Sequence, residues 1–142
     1  MNPLLTPELI HQADSFLDRE DVHHKAVQLG QQLFETFGSE EKGKGQVSSQ
    51  IRNLQQTVVS ATRLADIEDF VKNQMGRNAG PYREWRQVGD TILQQLRELR
   101  KAADQFTSDP GQRLLLRLHL ARGWVRAVVG AYLYAKAHKE ME

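Results

Sequence analysis

The chain has 142 residues, 39% of them apolar and 26% charged, the size and composition of one globular domain, and its lack of cysteine excludes disulfide scaffolds, thiol catalysis and cysteine-ligated zinc. Its formal net charge of +1 hides an asymmetry: residues 1–41 carry two basic and eight acidic side chains, and residues 42–139 carry seventeen basic and eight acidic. A basic body behind an acidic head points either to a polyanionic partner for one face or to opposite charges meeting across a bundle.

The first residues, Met1 to Thr6, have no basic region followed by a long apolar stretch, so no signal peptide is expected and a cytoplasmic location is. Thr6-Pro7-Glu8 reads as an N-cap, a proline in the first turn and an acid beside the positive helix end. Ile10, Ala13 and Leu17 follow at helical spacing. Asp18 is a candidate second N-cap, after which Val22, Ala26, Leu29, Leu33 and Phe37 hold one face. One kinked helix or two helices therefore occupy about 7–37.

Gly38 to Gly45 is polar and glycine-rich and reads as a loop. Ser48 or Ser49 caps the next helix, over about 49–65, with Ile51, Leu54, Val58, Ala61 and Ala65 inward. Asp66 and Asp69 open a short helix carrying Ile67, Phe70, Val71 and Met75, and Gly76 to Gly80 break it. From Pro81 the stripe Trp85, Val88, Ile92, Leu96, Leu99, Ala103 and Phe106 is unbroken. Asp109-Pro110-Gly111 punctuates before a last stripe of Leu114, Leu118, Ala121, Val125, Val128, Tyr132 and Ala135. Two long helices, over about 81–106 and 110–138, joined by so short a turn should pack antiparallel. The longest apolar run, Ala127 to Ala135, is nine residues, too short for a bilayer. The expectation is an all-α single domain over 1–142, a bundle of about five helices: an acidic helical segment 1–41, a loop 42–47 and a basic helical body 48–142.

For catalysis the sequence offers one lure. Glu8-x-x-His11 and Glu20-x-x-His23 match the Glu-x-x-His element of di-iron bundles. That chemistry needs the two elements on facing helices and an inward glutamate from each of two others. Here both elements fall within sixteen residues, and Glu84 and Glu98 lie off the apolar stripe of the helix from Pro81. His23, His24 and His138 have no ligand spacing, and Gly43-x-Gly45 follows no strand, so neither a metal site nor a nucleotide cradle is expected. No catalytic residue and no cofactor is assigned.

The basic residues are more informative. Arg52 and Arg63 are eleven residues apart, about three turns of one acid-free helix, so both should leave the same face without a local partner. Arg122 and Arg126 form a second stripe at i,i+4, with His119 one turn earlier. Lys72 and Arg77 flank the Gly76 break. In contrast, Arg86 with Asp90 and Arg100 with Asp104 have the spacing of local surface pairs. Arginine suits phosphate because its planar fork donates two parallel hydrogen bonds. The aromatic residues offer no stacking surface: Trp85, Phe106, Tyr132, Phe34, Phe37 and Phe70 read as core, and Trp124 and Tyr134 as packing against another subunit.

Three segments in order resemble one family. Ser48-Ser49-Gln50-Ile51-Arg52-Asn53-Leu54, then Met75-Gly76-Arg77, then Val128-Val129-Gly130-Ala131-Tyr132-Leu133-Tyr134-Ala135-Lys136 are similar to motifs of the small subunit of type III-A (Csm-type) CRISPR interference complexes. The resemblance spans about 45–139. It departs at Arg126 and Leu133, near positions where the family has an acid and a histidine. It implies an all-helical, non-catalytic subunit that stacks in several copies. Such a subunit would line the groove where guide RNA pairs with target RNA and touch the repeated backbone subunit and the large polymerase-like subunit. By motif position it assigns RNA contact to Arg52 and Arg77. Helical geometry adds Arg63, Arg122 and Arg126, and Lys72 beside the break. Opposite charges on 1–41 and the remainder imply salt-sensitive self-association. The alternative is a helical adaptor that offers its basic face to acidic proteins and binds no RNA.

Overall fold

The computed structural model describes residues 5–38, 48–78 and 80–141. These residues are helical, with no strand among them, in six helices: α1 (Pro7–Asp18), α2 (Glu20–Phe37), α3 (Ser49–Ser60), α4 (Leu64–Gly76), α5 (Tyr82–Phe106) and α6 (Pro110–Glu140). The expected loop 42–47 and Gly43-x-Gly45 lie outside the described residues.

Side-chain caps set the starts that the sequence marks. Thr6 Oγ1 accepts from Leu9 N at 3.1 Å, Ser48 Oγ from Gln50 N at 3.2 Å, and Asp109 Oδ2 from Gln112 N at 2.9 Å. Two boundaries differ from expectation. The N-cap of α2 is Arg19, not Asp18, and it makes no capping bond. The helix expected over 49–65 ends at Ser60; Ala61 is extended, and a new helix starts after Arg63. At the α4–α5 turn, Gly80 takes φ 73°, a left-handed value that glycine reaches without a Cβ clash.

Cross-helix pairs fix the helix directions. Gln95 Oε1 accepts from Trp124 Nε1 at 2.8 Å and Asp104 holds Arg117 at 2.7 Å, so α5 and α6 are antiparallel. Glu68 binds Arg100, and Gly89 packs on Met75, so α4 and α5 are antiparallel too. Ser48 N donates to Tyr132 Oη at 3.3 Å, and Arg122 Nη2 donates to Ala61 O at 3.3 Å, so α3 runs antiparallel to α6. Val22 and Lys25 sit beside Trp124 while Phe34 meets Tyr132, which makes α2 parallel to α6. The closest helix partner of α6 is α2 rather than α5. One end of the bundle thus gathers the end of α2, the start of α3, the end of α4 and the start of α5.

The stripe read on α5 is buried from Trp85 to Ala103, with Phe106 half-buried. The α6 stripe is wider than one face: Leu116, Leu120, Trp124 and Val129 are buried beside the expected residues, and Leu114 is exposed. The reason is position, because α1, α2, α3, α4 and α5 all pack on α6. Trp124 is therefore core of its own bundle, not a contact for another subunit. Its indole N–H and the Lys25 carbonyl are both served by Gln95, which is itself buried. Gln95→Leu is expected to cost about 1–3 kcal/mol, since it strands the buried Trp124 indole N–H, a donor that a leucine cannot satisfy. Urea denaturation checks this, and a variant as stable as the parent would show the bridge to be dispensable.

Candidate nucleic-acid interface

The structure separates the basic residues into those held by carboxylates and those left without one. Arg19 is paired with Asp21, Lys25 with Glu98, Arg63 with Asp66, Arg100 with Glu68, and Arg113 and Arg117 with Asp104. Most of these pairs join different helices. The expected local pairs do not form: Asp104 turns to α6 rather than to Arg100, and Arg86 turns to the end of α4 rather than to Asp90. Inter-helix partners win because packing holds them close, while an exposed i,i+4 pair gains only a few tenths of a kcal/mol.

The six residues singled out from sequence divide accordingly. Arg52 on α3, Lys72 on α4, Arg77 at the C-cap of α4 and Arg126 on α6 are exposed, and none is in an ion pair among the described residues. Arg63 and Arg122 are corrections. Arg63 lies beyond the end of α3 with extended backbone, φ −144° and ψ 146°, so it does not share the face of Arg52. Its guanidinium donates to Asp66 Oδ1 at 2.8 Å. That hydrogen bond holds the Asp66 carboxyl below its ordinary range and Arg63 above its own. Arg122 is half-buried and donates to the Ala61 carbonyl, where its charge favours the negative end of α3. Its Nε is buried with no hydrogen-bond partner among the described residues. His119, the third member of that expected stripe, contacts Asp14 at 2.8 Å and ties α1 to α6. Part of the acidic head is therefore answered inside the bundle.

Arg52 and Arg126 both belong to the α3–α6 pair: Arg52 is one turn in from the Ser48–Tyr132 tie, and Arg126 one turn on from the Arg122–Ala61 tie. Tyr134 is 70% exposed and stacks on His138, ring centroids 5.9 Å apart. The pair edges an open hollow of about 400 Å³ between α2 and the end of α6.

The sequence reading missed a cluster at the α4–α5 turn. Arg86 Nε donates to Met75 O at 2.7 Å and Nη2 to Arg77 O at 3.5 Å, closing the end of α4. The same guanidinium lies 4.7 Å from the Tyr82 ring centroid. Arg83 Nε donates to Tyr82 Oη at 3.1 Å. Tyr82 and Arg86 are at i,i+4, which the sequence displays; the same spacing toward Asp90 hid it. The carboxylates on this stretch of α5, Glu84 and Asp90, are in no ion pair among the described residues.

Among the described residues no three His, Asp or Glu side chains gather at metal-holding distance, and the Glu8/His11 and Glu20/His23 elements lie on successive helices α1 and α2. No described helix is long and apolar enough to cross a membrane. No family model, curated protein or solved structure matches the chain.

Proposed function

We propose that the chain is a non-catalytic, cytoplasmic small subunit of a type III CRISPR RNA-guided interference complex. In this reading several copies stack beside the repeated backbone subunit and the large polymerase-like subunit, and hold the guide–target RNA duplex by its phosphates. The observation that supports the reading is the state of Arg52 and Arg77. These are the two positions that the motif resemblance assigns to RNA, and among the described residues both are exposed guanidiniums in no ion pair, whereas Arg19, Lys25, Arg63, Arg100, Arg113 and Arg117 meet carboxylates. Lys72 and Arg126 extend the same unneutralised surface. Arg63, exposed but paired with Asp66, and Arg122, half-buried on the Ala61 carbonyl, are less free to take a phosphate. Backbone binding by charge and shape needs no base readout, since guide pairing supplies the specificity.

Purification of the tagged chain from its host tests this. Short RNA of uniform length and several larger protein subunits are expected to come with it. An RNA-free preparation carrying an acidic protein partner would replace the reading with that of a helical adaptor.

A further inference from the structure

We infer that the α4–α5 corner carries the RNA-backbone contact beyond Arg77, with Arg83 as a further phosphate ligand and Tyr82 and Arg86 as the residues that position the two arginines. The inference rests on the RNA-binding reading and extends it to Tyr82, Arg83 and Arg86, which neither motif nor periodicity assigns to RNA.

Three observations carry it. First, four cations, Lys72, Arg77, Arg83 and Arg86, fall within fifteen residues around one turn, and none is in an ion pair among the described residues. Elsewhere Arg19, Lys25, Arg63, Arg100, Arg113 and Arg117 all meet carboxylates. Second, the local carboxylates Glu84 and Asp90 are on hand and remain in no ion pair; Arg86 turns away from Asp90 toward the Met75 and Arg77 carbonyls. Third, one of these guanidiniums is held and the backbone carrying another is tied: Tyr82 Oη accepts from Arg83 Nε, and Arg86 donates to the Met75 and Arg77 carbonyls at the end of α4. A pre-set arginine loses less side-chain freedom when it binds a phosphate. Exposed arginines held this way beside a half-buried tyrosine suit a repeating anion better than a single carboxylate. RNA supplies that repeat.

The roles separate by salt dependence. Arg83→Ala removes one phosphate contact. It should weaken binding of a mixed-sequence oligoribonucleotide by about tenfold and flatten the log–log salt slope by about 0.7–0.9. Tyr82→Leu leaves every charge in place, so it should weaken binding with the slope unchanged; Tyr82→Phe, which keeps the ring under Arg86 but loses the Arg83 acceptor, should fall between the parent and Tyr82→Leu. Arg19→Ala removes a charge already paired with Asp21 and serves as the control. All are measured on the full chain by fluorescence anisotropy, with circular dichroism confirming the helical fold. If Arg52→Ala weakens binding while Arg83→Ala changes neither affinity nor slope, the corner is not a contact and the RNA-binding reading stands. If the parent chain binds no RNA, alone or in its purified complex, both fail together. Loss of an acidic protein partner from Arg83→Ala with RNA binding intact also overturns the inference.

Discussion

Gly30→Ala is expected to cost about 3 kcal/mol of folding stability, a large share of what a domain of this size has. α2 lies parallel to α6, and at Gly30 the two backbones approach closely. A Cβ at Gly30 would fall on the Val128 carbonyl oxygen, within 2.6 Å of the Ala131 Cβ and 2.9 Å of the Tyr132 nitrogen. Two of those atoms are backbone inside a continuous helix, so α6 cannot yield locally, and α2 has to move away along its length. The other close glycines meet softer neighbours. At Gly89 the added carbon would meet the Met75 thioether, an unbranched chain with rotamers to spare. At Gly123 it would meet one methyl of Leu17, 2.5 Å away. Gly130 has nothing within 4 Å, so Gly130→Ala should stabilise, by up to about 1 kcal/mol of helix propensity. The expected order of urea midpoints is Gly130→Ala above the parent, Gly89→Ala and Gly123→Ala below it, and Gly30→Ala lowest. A Gly30→Ala midpoint at or above the parent would mean that α2 and α6 do not pack in this way.

Most of this fold is legible in the residues because local chemistry and tertiary packing agree. Thr6, Ser48 and Asp109 cap the helices that they announce. The α5 stripe is buried as spaced because that helix has one core-facing side. α6 is different. Leu114 to Leu116 are consecutive, Leu116 to Leu120 alternate leucine with Arg117 and His119, and a single 3-4 stripe drawn through them omits Leu116 and Leu120, both buried. The density of leucine, not its period, is the mark of a helix packed on several sides. The α3–α4 break is harder to see. Ala61-Thr62-Arg63 contains neither glycine nor proline, and its apolar residues continue the helical period across the gap. What ends α3 there is tertiary: the Arg122 guanidinium on the Ala61 carbonyl, from a residue sixty-one positions away.

The candidate interface was less legible than the fold, for the same reason. Whether an arginine is free depends on carboxylates that come from other helices. Arg117, like Arg52, has no acid at helical spacing, and Arg100 has Asp104, yet Asp104 reaches Arg117 and Glu68 reaches Arg100 across the bundle. A helix continued through Arg63 puts Asp66 on a different element and leaves the arginine unpartnered. With the break in place, Arg63 and Asp66 form an i,i+3 pair at the start of α4. Arg52 and Arg77 keep their standing, since neither is in an ion pair among the described residues.

Arg52 and Arg77 are the pair on which RNA binding is expected to depend most. Each guanidinium that holds a phosphate contributes a charge-assisted contact, so the Arg52→Ala/Arg77→Ala double variant should bind RNA roughly a hundredfold more weakly than the parent. Two lost phosphate contacts should also flatten the salt slope by about 1.4–1.8, with similar losses for unrelated RNA sequences. Arg52→Lys and Arg77→Lys should keep part of the affinity, because the charge remains while the bidentate fork does not. Arg63→Ala should change little, its guanidinium being held by Asp66 at 2.8 Å. Asp66→Asn supplies the converse test. The carboxylate that holds Arg63 is gone, the cation is freed into solvent, and the salt slope should steepen rather than flatten. Sedimentation and circular dichroism would establish that each variant is folded, and RNA pull-down that each still joins its complex. A folded, assembled double variant with the parent's affinity and slope would remove Arg52 and Arg77 from the interface, and with them the observation on which the proposed function rests. A loss confined to particular RNA sequences would place these arginines on base edges instead, a role in which Arg→Lys would relax sequence preference rather than lower affinity throughout.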